Sequence, residues 1–291
     1  MTSAPEPGSV LLVTGASSGI GLATAVAAAR AGFTVVATVR DPERAGALAE
    51  AATAAGVEVD VRKLDVTDAE SITRCVEGVL ASYGRLDALV NNAGAAHLGT
   101  IENDSMDGIR AAFEVNFFGV VAMSQAAMPH LRASAGRRVT VSSVGGIVVQ
   151  PFNEAYCAAK FAVEGFMESL APVAATVGVR VTVVEPGAVA SSFVANAGVD
   201  FPTMLAESGP YAPALLGYAA HVASSFANPQ SAEDAAAVIV DTLLAGNPAF
   251  RVQTSDAARS FVSVKLGDLT GHAVQGLTST WVTPPVAPTM A

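Results

Sequence analysis

Cysteine is scarce in this chain of 291 residues, which carries only Cys75 and Cys157. Two cysteines cannot build a disulfide framework, so a reducing compartment and no disulfide are expected. Cys157 reads as a helix packing residue, with a redox role as the alternative. Lysine is nearly absent, at three residues, and the formal charge is −10. A surface for a polyanion needs clustered Lys and Arg, so nucleic acid is excluded as a partner. No apolar stretch reads as long enough to span a bilayer, and no cationic segment precedes the first apolar run. The expectation is a cytoplasmic protein with no membrane span and no bound metal.

Apolar residues, by contrast, make up 51% of the chain. A strand-then-helix rhythm runs to about residue 250, with strands expected near 9–14, 33–39, 57–64, 86–91, 137–142, 179–184 and 249–253. Parallel strands with right-handed helical crossovers predict one α/β domain over 1–291, a Rossmann-type doubly wound sheet of about seven strands. The apolar content exceeds what doubly buried strands require, which points to a covering neighbour and a homodimer or homotetramer. A short helix is expected over Ser255–Leu266, and the Thr/Pro-rich end from about Ser279 reads as disordered. Pro172 is expected to interrupt the helix that starts near Ala155.

Tyr156 and Lys160 stand four residues apart in that helical pattern, one above the other on a single face. A phenol has a reference pKa near 10, too high for proton exchange at neutral pH. A cation about 4 Å away at an effective dielectric near 20 favours its ionised form by roughly 4 kcal/mol before desolvation is subtracted. Tyr156 is therefore expected to approach neutrality, where general acid–base catalysis works best. Ser143, thirteen residues upstream of Tyr156, can donate to a substrate oxygen as negative charge grows on it. Taken alone, Y-x-x-x-K also describes a chance helical pair.

Thr14-Gly15-Ala16-Ser17-Ser18-Gly19-Ile20-Gly21 lies between the apolar run Val10–Val13 and an alanine-rich helix. A strand entering a glycine turn and then a helix N-terminus makes an anion site suited to a pyrophosphate. Thr67-Asp68-Ala69-Glu70 reads as a capping box, which would leave Asp65 free for an adenine contact.

With these segments in hand, the chain resembles the short-chain dehydrogenase/reductase family from Val10 to about Phe250. The resemblance rests on T14-G-A-S-S-G-I-G21, L64-D-V-T-D68, N91-N-A-G94, Asn116, Ser143, Tyr156-x-x-x-Lys160 and Pro186-Gly187, in that order. It implies Tyr156 as acid/base, Ser143 as substrate polariser, Lys160 as ribose holder and Asn116 as the residue fixing a relay water. It also implies a cofactor-binding set of Gly15, Ser17, Ser18, Gly19, Ile20, Gly21, Arg40, Asp65, Val66, Asn92, Ala93, Gly94, Tyr156, Lys160, Pro186, Gly187, Val189 and Ser191. The stretch from Ser143 to Leu170 is similar to the branch containing 17β-hydroxysteroid and retinol dehydrogenases.

At the end of the second expected strand, Val39 takes the position where an NAD enzyme would place a carboxylate, and Arg40 follows it. Arg40 can clamp a 2′-phosphate, so NADP(H) is the expected cofactor, with a solvated surface charge as the alternative reading. Asp41 reads as a cap ahead of Pro42. The segment Ala188–Ala227 is too long for a simple connection and carries many large apolar residues, which predicts a lid over a bulky apolar ligand or a helical excursion packed on the body. Phe193, Tyr218, His221 and His97 are candidate substrate contacts. Tyr218-Ala-Ala-His221 resembles a segment lining the far end of the steroid pocket, and an ordinary exposed helix is the alternative for His221, as surface placement is for His97. His130 and His272 read as surface residues. The expected activity is the interconversion of a ketone and a secondary alcohol on a bulky, steroid-like or polyketide-like molecule. A small-carbonyl reductase, a retinoid-type alcohol dehydrogenase and a non-catalytic NADP sensor are the alternatives.

Overall fold

A computed structural model describes residues 5–193 and 198–283. Valine-rich segments form seven strands: β1 Val10–Val13, β2 Thr34–Val39, β3 Asp60–Lys63, β4 Ala88–Asn91, β5 Arg137–Val141, β6 Arg180–Glu185 and β7 Arg251–Gln253. They make one sheet in the order β3-β2-β1-β4-β5-β6-β7, and every pairing is parallel. The seven expected strands are all present, within a few residues at their ends.

Parallel strands covered on both faces bury both sets of side chains, so their sequences run apolar without alternation. In β1, Leu12 points into one core with Leu89, Met123, Val163 and Met167. Leu11 and Val13 point into the other, with Val35, Val90, Val139 and Ile239. Helices α1 (Gly19–Arg30), α2 (Gly46–Ala55) and α9 (Ala232–Leu244) cover the second face. Helices α3 (Ala69–Tyr83), α5 (Gly119–Ala133) and α6 (Glu154–Ala175) cover the first. A short α4 (Met106–Phe113) leads into α5 through a π-helical turn, Glu114–Phe118.

The run Met106–Ala133 is long and apolar enough to cross a membrane, against the expectation that no stretch would be. It packs on the sheet instead, with Val120, Met123, Ala127 and Leu131 in the core. Pro172 does not end its helix: α6 continues to Ala175, so the proline falls in the last turn, where few later bonds depend on it. The cap of α3 is Asp68, whose carboxylate accepts from the N–H groups of Glu70 and Ser71 at 2.9 and 3.2 Å. Thr67 is not the cap; its N–H and hydroxyl both go to Asp65. Asp41 caps a short 3₁₀ turn over Pro42–Ala45 by accepting from Glu43 N–H.

After β6 the chain forms α7 (Phe201–Glu207) and α8 (Ala212–Ser225). Beyond β7 come α10 (Asp256–Leu266), capped by Ser255, and α11 (His272–Trp281). The end expected to lose order from Ser279 is therefore helical to Trp281, whose ring is buried. Residues 284–291 and 194–197 lie outside the described ones, and with them parts of the expected tail and lid.

Candidate active site

The chain reverses direction across the sheet between β1 and β4, and the turns leaving those two strands meet at the carboxyl edge. Their contact is at backbone distance. A Cβ on Gly15, whose φ is +68°, would stand 2.8 Å from Ala93 Cα. A Cβ on Gly21 would stand 2.3 Å from both the Gly15 carbonyl and Asn92 Nδ2. Asn92 Nδ2 donates to the carbonyls of Thr14 and Gly15 at 3.0 and 2.9 Å. Thr14 Oγ1 accepts from the N–H groups of Asn92 and Ala93 at 3.0 and 2.9 Å. Beside this clasp α1 begins at an extended Ser18 whose side chain makes no cap bond, and its first turn contains no acid. Its leading N–H groups and the positive end of its dipole thus remain available to an anion. Ser191 reaches the same corner, its Cβ 3.0 Å from where a Gly19 Cβ would be. Val189 and Ile20 contribute side chains to the packing behind it. Gly94, Pro186 and Gly187 close the edge, with the Pro186 carbonyl accepting from Val144 N–H at 2.9 Å.

The four predicted catalytic residues come together on this edge. Ser143 ends the loop after β5 and accepts from Gly145 N–H at 3.0 Å. Tyr156 and Lys160 are buried one turn apart on α6, with Lys160 Nζ 5.8 Å from the phenol ring centre. Phe193 meets the other side of Tyr156, the rings 5.9 Å apart and edge to face. Asn116 lies in the π turn, fully buried. Its Nδ2 donates to the carbonyls of Ala95 and Ala112, both at 2.9 Å, and its Oδ1 accepts from Ala95 N–H at 3.2 Å. The side chain therefore braces the loop after β4. With both amide hydrogens committed, it has none to offer a water.

The electrostatics correct one expectation. Burial pushes the Tyr156 phenol up to about 12, only partly opposed by hydrogen bonding with Ser143. Lys160 does not bring it toward neutrality: burial lowers the lysine to about 8, and its Nζ donates to the Val141 carbonyl at 3.1 Å. Desolvation of two enclosed groups outweighs their attraction.

At the outer end of the cofactor edge Arg40 is exposed beside buried Val39. Burial works to raise the Asp65 carboxyl, but the two hydrogen bonds from Thr67, with Arg40 and Lys63 nearby, hold it below its ordinary value. One Asp65 oxygen, Oδ1, carries both Thr67 bonds, which leaves Oδ2 for the expected adenine contact. Lys63 stands in register with Val39 and so adds a second cation next to Arg40, which the strand pattern alone did not single out. Val66 is buried against Gly119, where a Cβ would stand 2.9 Å from Val66 Cγ2.

The candidate substrate residues separate into different environments. His97 Nε2 pairs with Asp104 Oδ2 at 2.7 Å, half-buried rather than on the open surface. The Tyr218 hydroxyl accepts from Asn153 Nδ2 at 2.7 Å, and its ring lies 5.7 Å from that of Phe152. His221 is not an exposed residue: its ring stacks on Trp281 at 4.0 Å and 12°, and its Nε2 lies 3.3 Å from Ser225 Oγ. Burial lowers its pKa. Trp281, absent from the predicted site because it falls in the segment read as disordered, organises this end of the molecule.

Sequence reasoning also missed a buried ionic cluster one turn past Lys160. Arg251 Nε contacts Glu164 Oε2 at 3.1 Å and Glu185 Oε1 at 3.4 Å, and its Nη2 reaches Glu168 at 2.6 Å. Burial pushes Glu164 up to about 7. Only the placement of Glu164 four residues after Lys160 hints at it in the sequence. Among the described residues no group of three or more His, Cys, Asp or Glu could hold a metal ion. Cys75 and Cys157 are both buried and free.

The family model for short chain dehydrogenase matches residues 9–200. Bovine retinol dehydrogenase 8 is 36% identical over 286 residues, covering 93% of this chain and 88% of its own. Human 17-beta-hydroxysteroid dehydrogenase type 1 is 36% identical over 271 residues, covering 90% and 82%. A crystal structure of a short-chain dehydrogenase from Streptomyces avermitilis superposes with a TM-score of 0.74 at 32% identity, over 96% of this chain and 97% of that one. The alcohol dehydrogenase of Thermococcus sibiricus, solved with 5-hydroxy-NADP, shares the fold at 23% identity and a TM-score of 0.68, over 84% and 95%. With family match, sequence relatives and sheet order agreeing, the chain belongs to the short-chain dehydrogenases, oxidoreductases that work with nicotinamide cofactors.

Proposed function

We propose that this protein is an NADP(H)-dependent oxidoreductase that interconverts a ketone and a secondary alcohol within a bulky apolar molecule. The observation that carries this reading is the enclosed phenol of Tyr156, flanked by Lys160 and covered by Phe193, with Ser143 close enough to oppose part of the burial effect on it. The glycine cradle and the uncapped start of α1 fit a dinucleotide pyrophosphate, because any Cβ at Gly15 or Gly21 would fill the space the backbone needs. A bound nicotinamide dinucleotide supplies the hydride. Ser143 Oγ donates to the substrate oxygen, and Tyr156 Oη holds the proton that moves to or from it. Lys160, whose Nζ donates to the Val141 carbonyl, would hold the nicotinamide ribose. If position 116 holds a relay water, it does so through main-chain groups, its amide hydrogens being spent on Ala95 and Ala112.

A tyrosine held near 12 is protonated throughout the neutral range. Tyr156 is then poised to donate its proton in carbonyl reduction at neutral pH, and alcohol oxidation should gain rate as pH rises. Cofactor choice rests on Val39 in place of a carboxylate, with Arg40 following it and Lys63 in register with Val39 as cations for a 2′-phosphate. The size and apolarity of the substrate rest on the apolar content of the segment from α7 to α8, part of which, Leu215 and Tyr218, packs on the body with Phe152 and Trp281 as a helical excursion would. Free, buried cysteines fit the cytoplasm. Exposed Phe118, Val173 and Val177, next to or on α5 and α6, fit a homodimer or homotetramer.

A panel of bulky ketones, small aldehydes and primary and secondary alcohols, followed by nicotinamide absorbance with both cofactors, tests the reading. Tyr156→Phe should lower turnover by about 10²- to 10⁴-fold while leaving NADPH affinity nearly intact. Wild-type turnover in that variant, where chemistry limits the rate, would remove the acid/base assignment. Preference for primary alcohols would move the substrate toward the retinoid type, as in the bovine relative's name.

A further inference from the structure

The loop after β4 does more than close the cofactor edge. Asn116 fixes its start at Ala95, and Gly99 N–H donates to the Phe152 carbonyl at 3.0 Å, just ahead of the Tyr156 helix. Between these anchors and α7 lies a cavity of about 370 Å³, lined by His97, Thr100, Asn103, Asp104, Asp200 and Glu207 among others. Asn103 Nδ2 donates to the Glu207 carbonyl, bridging loop and helix at 2.5 Å. Thr100 is 4% exposed, and its hydroxyl has no hydrogen-bond partner among the described residues.

The chemistry of this lining is one-sided. It contains three carboxylates and no lysine or arginine. An ionised carboxylate accepts only, so the Asp104 contact fixes a proton on His97 Nε2. The His97–Asp104 pair, a buried threonine hydroxyl without a partner and the negative charge of the rim together favour a group that donates hydrogen bonds and oppose an anion.

We propose that this cavity receives a hydroxyl or amine at the end of the substrate remote from the reacting carbonyl, with Thr100 and the His97–Asp104 pair as specificity-determining residues. The proposal rests on the carbonyl-reducing function given above and assigns the polar end of its substrate.

A straight-chain methyl ketone series tests it, with a methyl, hydroxyl, amine or carboxylate at the far end and several chain lengths. The hydroxyl and amine members should exceed the methyl member in kcat/KM by about tenfold through KM, and the carboxylate member should be the poorest. Asp104→Asn and Thr100→Val should each erase most of that ranking while leaving kcat for the methyl ketone unchanged. An unchanged ranking in both variants, or a wild type preferring the carboxylate, overturns the inference while the reductase reading stands. Should no ketone be turned over, that reading fails. Calorimetry with a long-chain amino alcohol and the matching carboxylic acid then decides the cavity by itself: a preference for the amino alcohol that Asp104→Asn abolishes supports it, and equal binding overturns it.

Discussion

The cofactor edge and the α7–α8 side of the molecule are built by different means. At the cofactor edge the restraints run to the main chain: Thr14 and Asn92 clasp the two turns, Asn116 braces Ala95, and Gly21 admits no side chain. On the α7–α8 side the restraints are mainly side chain against side chain, with main-chain contacts where Asn103 Nδ2 donates to the Glu207 carbonyl and where a Cβ on Gly217 would stand 2.4 Å from the Thr283 carbonyl. His221 stacks on Trp281, the Tyr218 ring lies tilted against that of Phe152, and the Tyr211 hydroxyl donates to Glu102 at 2.8 Å. Backbone-level restraint demands particular residue types in a particular order, whereas packing accepts many solutions of similar volume. The first kind of construction can carry a chemistry shared by a family, and the second can vary its substrate.

The harshest way to break this contrast is Gly21→Ala. The added carbon would meet a carbonyl and an amide at 2.3 Å, neither at the end of a flexible chain. Overpacking of this kind costs about 3 kcal/mol or more, so nucleotide affinity measured by fluorescence titration should fall by at least about 100-fold. Gly276→Ala on α11, with open space around it, should leave affinity unchanged and the melting temperature equal or slightly higher. Equal effects at the two glycines would dissolve the distinction.

Arg40→Ala sharpens the contrast within the cofactor edge itself. Loss of a charge-assisted bond worth roughly 1.5–3 kcal/mol should shift NADPH-over-NADH discrimination by about 10- to 150-fold. A shift much smaller than this would transfer the 2′-phosphate to Lys63, which Lys63→Ala would then reveal.

Those two regions also differ in how much of them was legible in advance. The strand positions, the glycine turn, N91-N-A-G94, Ser143, Tyr156 and Lys160 were readable because each is a local pattern with a backbone consequence. Asp68 displaced Thr67 as the α3 cap because the two differ by one position, and only the fold decides which N–H groups remain free. Trp281 and the Glu164–Arg251–Glu185 cluster join residues far apart in the chain, and no local period announces such contacts. The tyrosine pKa went the other way from expectation because proximity is visible in a helical spacing and desolvation is not.

The Glu164 cluster offers a third, intermediate effect, on stability. Its carboxyl is raised from 4.5 to about 7, so the folded state holds that proton more tightly than the unfolded one. The associated stability is fully present below about 4.5 and is lost as pH rises through 7. Arg251, Glu185 and Ser142 face the group directly, and Lys160 stands one turn away. Between pH 5 and 8 the wild type should lose roughly 1–3 kcal/mol relative to Glu164→Gln, a change of several degrees in melting temperature. Parallel pH profiles for the two proteins would place the titration elsewhere.

The smallest effect is expected on the α7–α8 side. His221→Ala removes one stacked contact, worth about 1 kcal/mol, and should lower the melting temperature by a few degrees while leaving kcat for a small ketone unaltered. If instead kcat fell by more than tenfold, His221 would belong to the chemistry and the contrast between the two sides would need redrawing.

The π turn at Glu114–Phe118 sets the phase of everything around it. Each residue advances an α-helix by about 100°, so one extra residue in a turn rotates α4 relative to α5 by that amount. Asn116 can thereby face the loop at Ala95 while α5 still turns Val120, Met123 and Ala127 into the core. Deleting a single residue here would straighten the helix without removing any named side chain. It would swing α4 away from His97 and Asp104, so length, as much as identity, is under constraint in this part of the chain.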